Sequence, residues 1–279
     1  MTTLSQFTPA ETLLLSEGTF PTLRQLLKLT FIDLFFKQVI KTESSLGPEF
    51  KDLETGQEKY VVPGMNYYTY SPLPHEMAFL QPFEKYPSTK LLFRHFVQLA
   101  YKNVGGKNRY IRLLCNSNAV QGYVTQHFFQ KITGRCSLTP EGKTVQQKLN
   151  AELNELETTL PGLIENSKDE AIAILKKIKG NVFLLVNIPF DKWDAIDKEL
   201  MMQVNGTVKT DRNTMAGCSG GGCSGCSTWN SYSDYSNSFD SGCGGSDGNA
   251  GCGGTSGCSS GDSGGDSGCS GGGGCGGGD

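Results

Sequence analysis

From Gly217 onward the chain has no leucine, isoleucine, valine, methionine or proline, so this stretch cannot build an ordinary hydrophobic core. It also lacks lysine, arginine and histidine, while it holds eight of the ten cysteines and 24 of the 36 glycines. Glycine loses the most backbone freedom on folding, and so few apolar side chains cannot offset that loss. The tail is therefore expected to be disordered unless chemistry at its thiols orders it. Whatever folds must lie ahead of it.

Charge divides at the same place. The tail carries six aspartates and no cation, which leaves the preceding residues at +3 within a chain of net charge −3. A body at +3 is not the strongly basic surface of a dedicated nucleic-acid binder. The acidic tail would repel nucleic acid and anionic lipid. The opening MTTLSQFTPAETLLLSEG has no basic n-region, and its apolar run stops after Leu15, so no export signal is expected. No stretch reaches the ~20 apolar residues that span a bilayer. These readings place the chain in the cytoplasm, where thiols are kept reduced.

The body reads as helices with short β wings. Thr8 and Pro9 open a helix to Ser16. Pro21 and Thr22 open a second, in which Leu23, Leu26, Leu27, Phe31 and Leu34 recur at helical spacing. Gln38–Lys41 and Glu58–Val62 read as two strands around a polar loop with Gly47-Pro48 and Gly56. This order predicts a winged-helix-like unit over residues 1–66. A looser copy follows over 67–203. A helix at Leu73–Leu80 is succeeded by one capped by Ser88, with Leu91, Leu92, Phe96, Leu99 and Ala100 as its stripe. Asn103–Gly106 ends that helix, and Tyr110–Cys115 forms another. A strand into Leu138 then leads to a helix capped by Thr139, started by Pro140 and running to Leu160. Ser167–Glu170 reads as a capping box, Gly180 as a helix end, Asn181–Val186 as a buried strand and Asp191 as the start of a last helix. These final elements are expected against the second copy. Residues 204–279 form the Gly/Ser/Cys-rich tail.

TPAETLLLSEG, LLKLTFIDLFFKQVIK, SLTPEGK and GCGG…CSGGGGCGGGD together resemble a poorly characterised group of bacterial proteins. Members of that group join a duplicated helix-rich N-terminal region to a low-complexity Gly/Cys tail. Some have membrane-spanning segments in the middle, which are not visible here. The resemblance implies an architecture of tandem winged-helix-like units and supplies no catalytic residue.

Candidate chemistry is concentrated in the tail. Cys218, Cys223 and Cys226, with Cys243 beyond, match the first ligand spacings of a plant-type two-iron ferredoxin, but no apolar shell surrounds them. Soft metals suit an all-thiolate set better, so zinc or copper(I) could be held by Cys218, Cys223, Cys226, Cys243, Cys252, Cys258, Cys269 and Cys275. The later spacings are irregular and argue against fixed sites. Enzymatic modification of the tail is a further alternative. For DNA, the candidate groove residues are Lys28, Thr30 and Lys37 in the first unit and Gln126 and Lys131 in the second. So few cations make that alternative the less favoured one.

In the body, Cys115 reads as a small buried hydrophobe and Cys136 as a strand residue beside Arg135. His75, His95 and His127 read as surface or half-buried histidines. Glu152, Glu155 and Glu157 read as a solvated helix face. No phosphate loop, nucleotide fingerprint or nucleophile elbow appears. The chain is expected to be a non-catalytic protein-interaction or regulatory protein with an unidentified protein partner and no membrane association.

Overall fold

The computed structural model describes residues 2–46, 57–125 and 136–185. The expected helix from Asp191, the tail and its eight cysteines lie outside them.

Local signals fix the first two helices. In α1 (Pro9–Glu17), Glu11 Oε2 accepts from the Thr8 backbone N–H at 2.8 Å, and Thr8 Oγ1 accepts from the Glu11 N–H at 3.4 Å. This reciprocal pair satisfies two helix-end donors. Gly18, at φ 70°, ends the helix. Thr22 and Gln25 repeat the device at the start of α2 (Leu23–Phe36), at 2.7 and 3.2 Å. Of the expected stripe, Leu26, Leu27, Phe31 and Leu34 are fully buried and Leu23 is half-buried. Burial goes further, because Leu29, Thr30, Ile32, Asp33 and Phe36 are also buried. Beyond Gln25, only the side bearing Lys28 and Phe35 stays half-buried, so the helix is a central one.

Gln38, at φ 55°, turns the chain out of α2. The strand expected from Gln38 therefore begins at Ile40. Strand β1 (Ile40–Leu46) pairs antiparallel with β2 (Gln57–Pro63), Ile40 opposite Pro63 and Leu46 opposite Gln57. Gly64 presses its backbone on this turn, and its N–H donates to the Val39 carbonyl at 2.8 Å. A Cβ there would drive into the Gln38 carbonyl, a backbone atom with no room to yield. Gly64→Ala is expected to cost about 2 kcal/mol or more, read as a lower urea midpoint at unchanged slope. An unchanged midpoint would mean that the turn is not packed as described.

The second half corrects the sequence reading at Leu91 and Leu92. They form strand β3 (Leu91–Leu92), with Tyr60 opposite Leu92 and Val61 opposite Leu91. The helix expected from Ser88 starts instead at Phe93. This α4 (Phe93–Val104), after α3 (Met77–Lys85), buries Phe93, Phe96, Val97, Ala100 and Val104, and leaves Leu99 half-buried. Gly105, at φ 66°, closes α4 as expected. Helix α5 (Lys107–Cys115) follows, and β4 (Val124–Thr125) pairs antiparallel with β5 (Ser137–Leu138). Among the described residues the architecture is mainly helical with two small antiparallel sheets.

Thr139 caps α6 (Pro140–Asn166) through a 2.9 Å bond from the Gly142 N–H, and the helix continues past Leu160 through Pro161. Ser167 makes no side-chain cap on α7 (Lys168–Ile178), because at φ −148°, ψ 65° it is also the residue that ends α6. The expected strand after Gly180 is a 3-10 helix, Lys179–Leu184. Asn181 sets that course by donating from Nδ2 to the carbonyls of Leu4 and Phe7 at 2.8 and 2.9 Å.

This closing section packs against the first half rather than the second. Phe183 meets Phe36 edge-on at 5.8 Å. Gln146 donates to the Ser16 carbonyl at 2.8 Å. Glu152, expected on a solvated face, accepts the Thr3 and Leu4 N–H groups at 2.8 and 3.0 Å. Burial works against its charge, but those donors outweigh it and hold the carboxyl below its ordinary range. One continuous apolar core joins the described helices.

Candidate functional site

A charged and polar cluster interrupts that core where α1, α2 and the segment before α3 meet. Asp33 and Lys37 stand one helical turn apart on α2, and Lys37 Nζ pairs with Asp33 Oδ2 at 2.6 Å. The same ammonium reaches Glu76 Oε1 at 3.3 Å and the Tyr70 hydroxyl at 3.1 Å. Tyr70 donates onto Glu76, at 2.8 and 2.9 Å from its two oxygens. Glu76 Oε2 also accepts the Leu73 N–H at 2.7 Å. Both acids are almost wholly buried, at 2% and 1% exposure.

Burial pushes the Asp33 carboxyl up to about 6, although Lys37 pulls it down, and Glu76 and Glu11 add to the rise. Burial also opposes the Lys37 charge, but Asp33 and Glu76 outweigh it and keep the amine protonated beyond the ordinary lysine range. Tyr70 is raised by burial and by Glu76. The cluster thus holds one ammonium between two carboxyl groups, and Asp33 is the group nearest to taking up a proton.

Behind it lies His75, fully buried and edge-on to Tyr110 at 6.2 Å between ring centroids. This corrects the expectation of a surface or half-buried side chain. Neither ring nitrogen has a hydrogen-bond partner among the described residues. Burial lowers the His75 pKa against the opposing pull of Glu11 and Glu76, which keeps the ring neutral. Tyr110 shares a 2.6 Å hydrogen bond with Thr30.

A cavity of about 280 Å³ opens beside the ion pair. Glu11, Asp33, Lys37, Ser117, Asn118 and Lys179 are among its lining residues. Gly180 completes the wall, and a Cβ there would collide with the Asp33 carboxylate. Two buried atoms of this lining, Glu11 Oε1 and Ser117 Oγ, have no hydrogen-bond partner among the described residues. Leaving a buried polar atom unmatched costs about 1–3 kcal/mol, so such atoms mark places where a ligand or water completes the site.

The structure assigns internal roles to two of the residues named for DNA. Thr30 is buried, its hydroxyl on Tyr110 and on the Leu26 carbonyl at 3.0 Å. Lys37 is committed to Asp33 and Glu76. Lys28 is half-buried. Gln126 and Lys131 lie outside the described residues, as do all eight tail cysteines. Cys115 is buried as expected, and Cys136 is half-buried against the core.

Sequence reasoning missed the acids. The available signal was Asp33, a charge inside the run Leu29–Phe36, with Lys37 four residues later. Glu11, Glu76 and His75 join it only through tertiary packing.

Among the described residues, no three His, Cys, Asp or Glu side chains are grouped to hold a metal ion. No helix among them is long and apolar enough to cross a membrane. No protein-family model, curated protein or solved structure matches this chain.

Proposed function

We propose that this is a non-catalytic regulatory protein whose helical body binds a small polar ligand in the cavity beside Asp33 and Lys37. The observation that carries the reading is the pair of buried, unmatched acceptors, Glu11 Oε1 and Ser117 Oγ, in the lining of that cavity. The carboxylate oxygen can only accept, so the ligand must bring a donor such as an ammonium or a hydroxyl. Lys179 on the same lining favours a ligand that also carries an acceptor. Amino acids and small amino alcohols have this chemistry. The order of α1 and α2 followed by the paired strands β1 and β2 is compatible with a divergent winged-helix-like unit. The burial of most of α2, Thr30 included, supports ligand or protein recognition over DNA for that unit.

A thermal-shift series with amino acids and amino alcohols tests the reading. A binding member should raise the midpoint in a concentration-dependent way, by mass action on the folded state. Ser117→Ala should melt at or above the parent temperature, because it removes an unmatched hydroxyl, and should lose most of the ligand-induced shift. A series with no shift, or an S117A shift equal to the parent's, would remove the proposal.

A further inference from the structure

A second cavity, of about 530 Å³, shares Lys37 and Lys179 with the first and is otherwise lined by different residues. Phe36 and Tyr70 give it aromatic walls, Asn66 and Thr69 a polar rim, and Lys176 a third lysine. No acid is among these residues, whereas the first cavity is lined by Glu11 and Asp33. The Lys37 ammonium is already held by Asp33 and Glu76. Lys176 and Lys179 are exposed, and among the described residues neither has an ion-pair partner.

Lys179 also has a costly backbone. Its φ of 54° lies in the left-handed region, where a lysine is uncommon and a glycine is unstrained. The residues on either side impose that turn. Helix α7 ends at Ile178, while Gly180 lies so close to the Asp33 carboxylate that a Cβ would not fit. Asn181 is then tied to the carbonyls of Leu4 and Phe7. The negative end of the α7 dipole accounts for a cation at Lys176, in the last turn. It does not account for lysine in place of glycine at 179. Strain of this kind persists at positions whose side chain has work to do, and this side chain lines the cavity.

We infer that the second cavity is a binding site for a small aryl phosphate, with Lys176 and Lys179 neutralising the phosphate and Phe36 and Tyr70 covering the ring. Two ammonium groups without a described countercharge match a phosphate monoester, which carries nearly two negative charges, better than a carboxylate, which carries one. The volume falls within the roughly 300–1,000 Å³ of small-molecule sites. The rim is fixed in advance: Asn66 Nδ2 donates to the Lys37 carbonyl at 2.9 Å, and Thr69 Oγ1 donates to the Asn66 carbonyl at 3.2 Å. The site does not depend on a ligand in the first cavity, because Lys176 lines the second alone and Ser117 the first alone.

Isothermal titration of the full-length protein with phenyl phosphate, inorganic phosphate and benzoate tests the assignment. Phenyl phosphate should bind about tenfold tighter than either of the others, and more weakly as salt is added. Lys176→Ala should weaken it by about tenfold or more, through loss of a charge-assisted contact, and exposure of this side chain leaves the fold intact. Lys179→Gly should weaken it as much, yet melt at or above the parent temperature without ligand, because glycine relieves the left-handed φ. Ser117→Ala should bind phenyl phosphate as the parent does, and Lys176→Ala should keep any shift that amino acids produce. No binding to the parent, equal affinity for benzoate or inorganic phosphate, or unchanged affinity in Lys176→Ala would each overturn the inference. So would a lower melting temperature in Lys179→Gly, which would make that side chain a support of the fold, or loss of phenyl phosphate binding in Ser117→Ala, which would put the ligand in the first cavity.

Discussion

Lys37→Met is expected to destabilise the body by about 3–5 kcal/mol at neutral pH, the usual cost of stranding a buried countercharge. Folded domains hold only about 5–15 kcal/mol in total, so much of the chain would unfold at modest denaturant. Methionine keeps the length and apolar stem of lysine, which confines the change to the ammonium. That ammonium pairs with Asp33 at 2.6 Å and Glu76 at 3.3 Å. Without it, two carboxyl groups face each other in an apolar surround, and Asp33 is the one poised to take a proton.

The pH dependence distinguishes lost charge from lost packing. Asp33 has a folded pKa of about 6, against an ordinary value of 3.8. Between those values the folded state binds more protons than the unfolded state, so this group makes stability fall as pH rises through that window. In Lys37→Met the Asp33 carboxyl is pushed higher still, and the fall extends towards neutrality. His75 acts in the opposite sense. Its folded pKa is depressed, so the unfolded state protonates first, and stability is lost as pH drops below about 6.5. Urea midpoints at about pH 5, 6, 7 and 8 should show the variant's deficit growing with pH. A deficit of constant size would indicate that Lys37 contributes packing and not countercharge.

Sequence and structure agree where the determinants are local. Thr8, Thr22 and Thr139 cap their helices because each needs only a backbone N–H three residues on. Ser167 has the same apparent signature and does not cap, because it must also terminate the 27-residue α6. Leu91 and Leu92 continue a helical pattern in sequence, but their strand partners, Tyr60 and Val61, lie some thirty residues upstream. Asn181–Val186 reads as a buried strand, and a side-chain tie to residues 4 and 7 directs its described part otherwise. The candidate site follows the same rule. Asp33 and Lys37 are visible as an i, i+4 pair, whereas Glu11, Glu76 and His75 arrive from separate elements. Two buried atoms without partners cannot be read from any local pattern.

Phe31→Ala is the second large effect expected, at about 3–5 kcal/mol from lost burial and the cavity left behind. Phe31 is fully buried on α2. Its ring lies 5.3 Å from Phe93, 6.0 Å from Phe96, 6.2 Å from Phe79 and 6.4 Å from Phe35. Such ring pairs add about 0.5–1.5 kcal/mol each beyond the area they bury. Three of the four partners come from α3 and α4, so the residue tests whether the first half and the α3–α4 region melt together. The alanine variant should lower a single cooperative midpoint by roughly 6–20 °C, at about 2–4 °C per kcal/mol for a body of this size. Phe96→Ala, in the other half, should shift the same transition. The double variant should fall short of the sum by about 1 kcal/mol, because each substitution removes part of the other's contacts. Two separate transitions, only one of them sensitive to Phe31, would mean that the halves are held together by less than this cluster of rings.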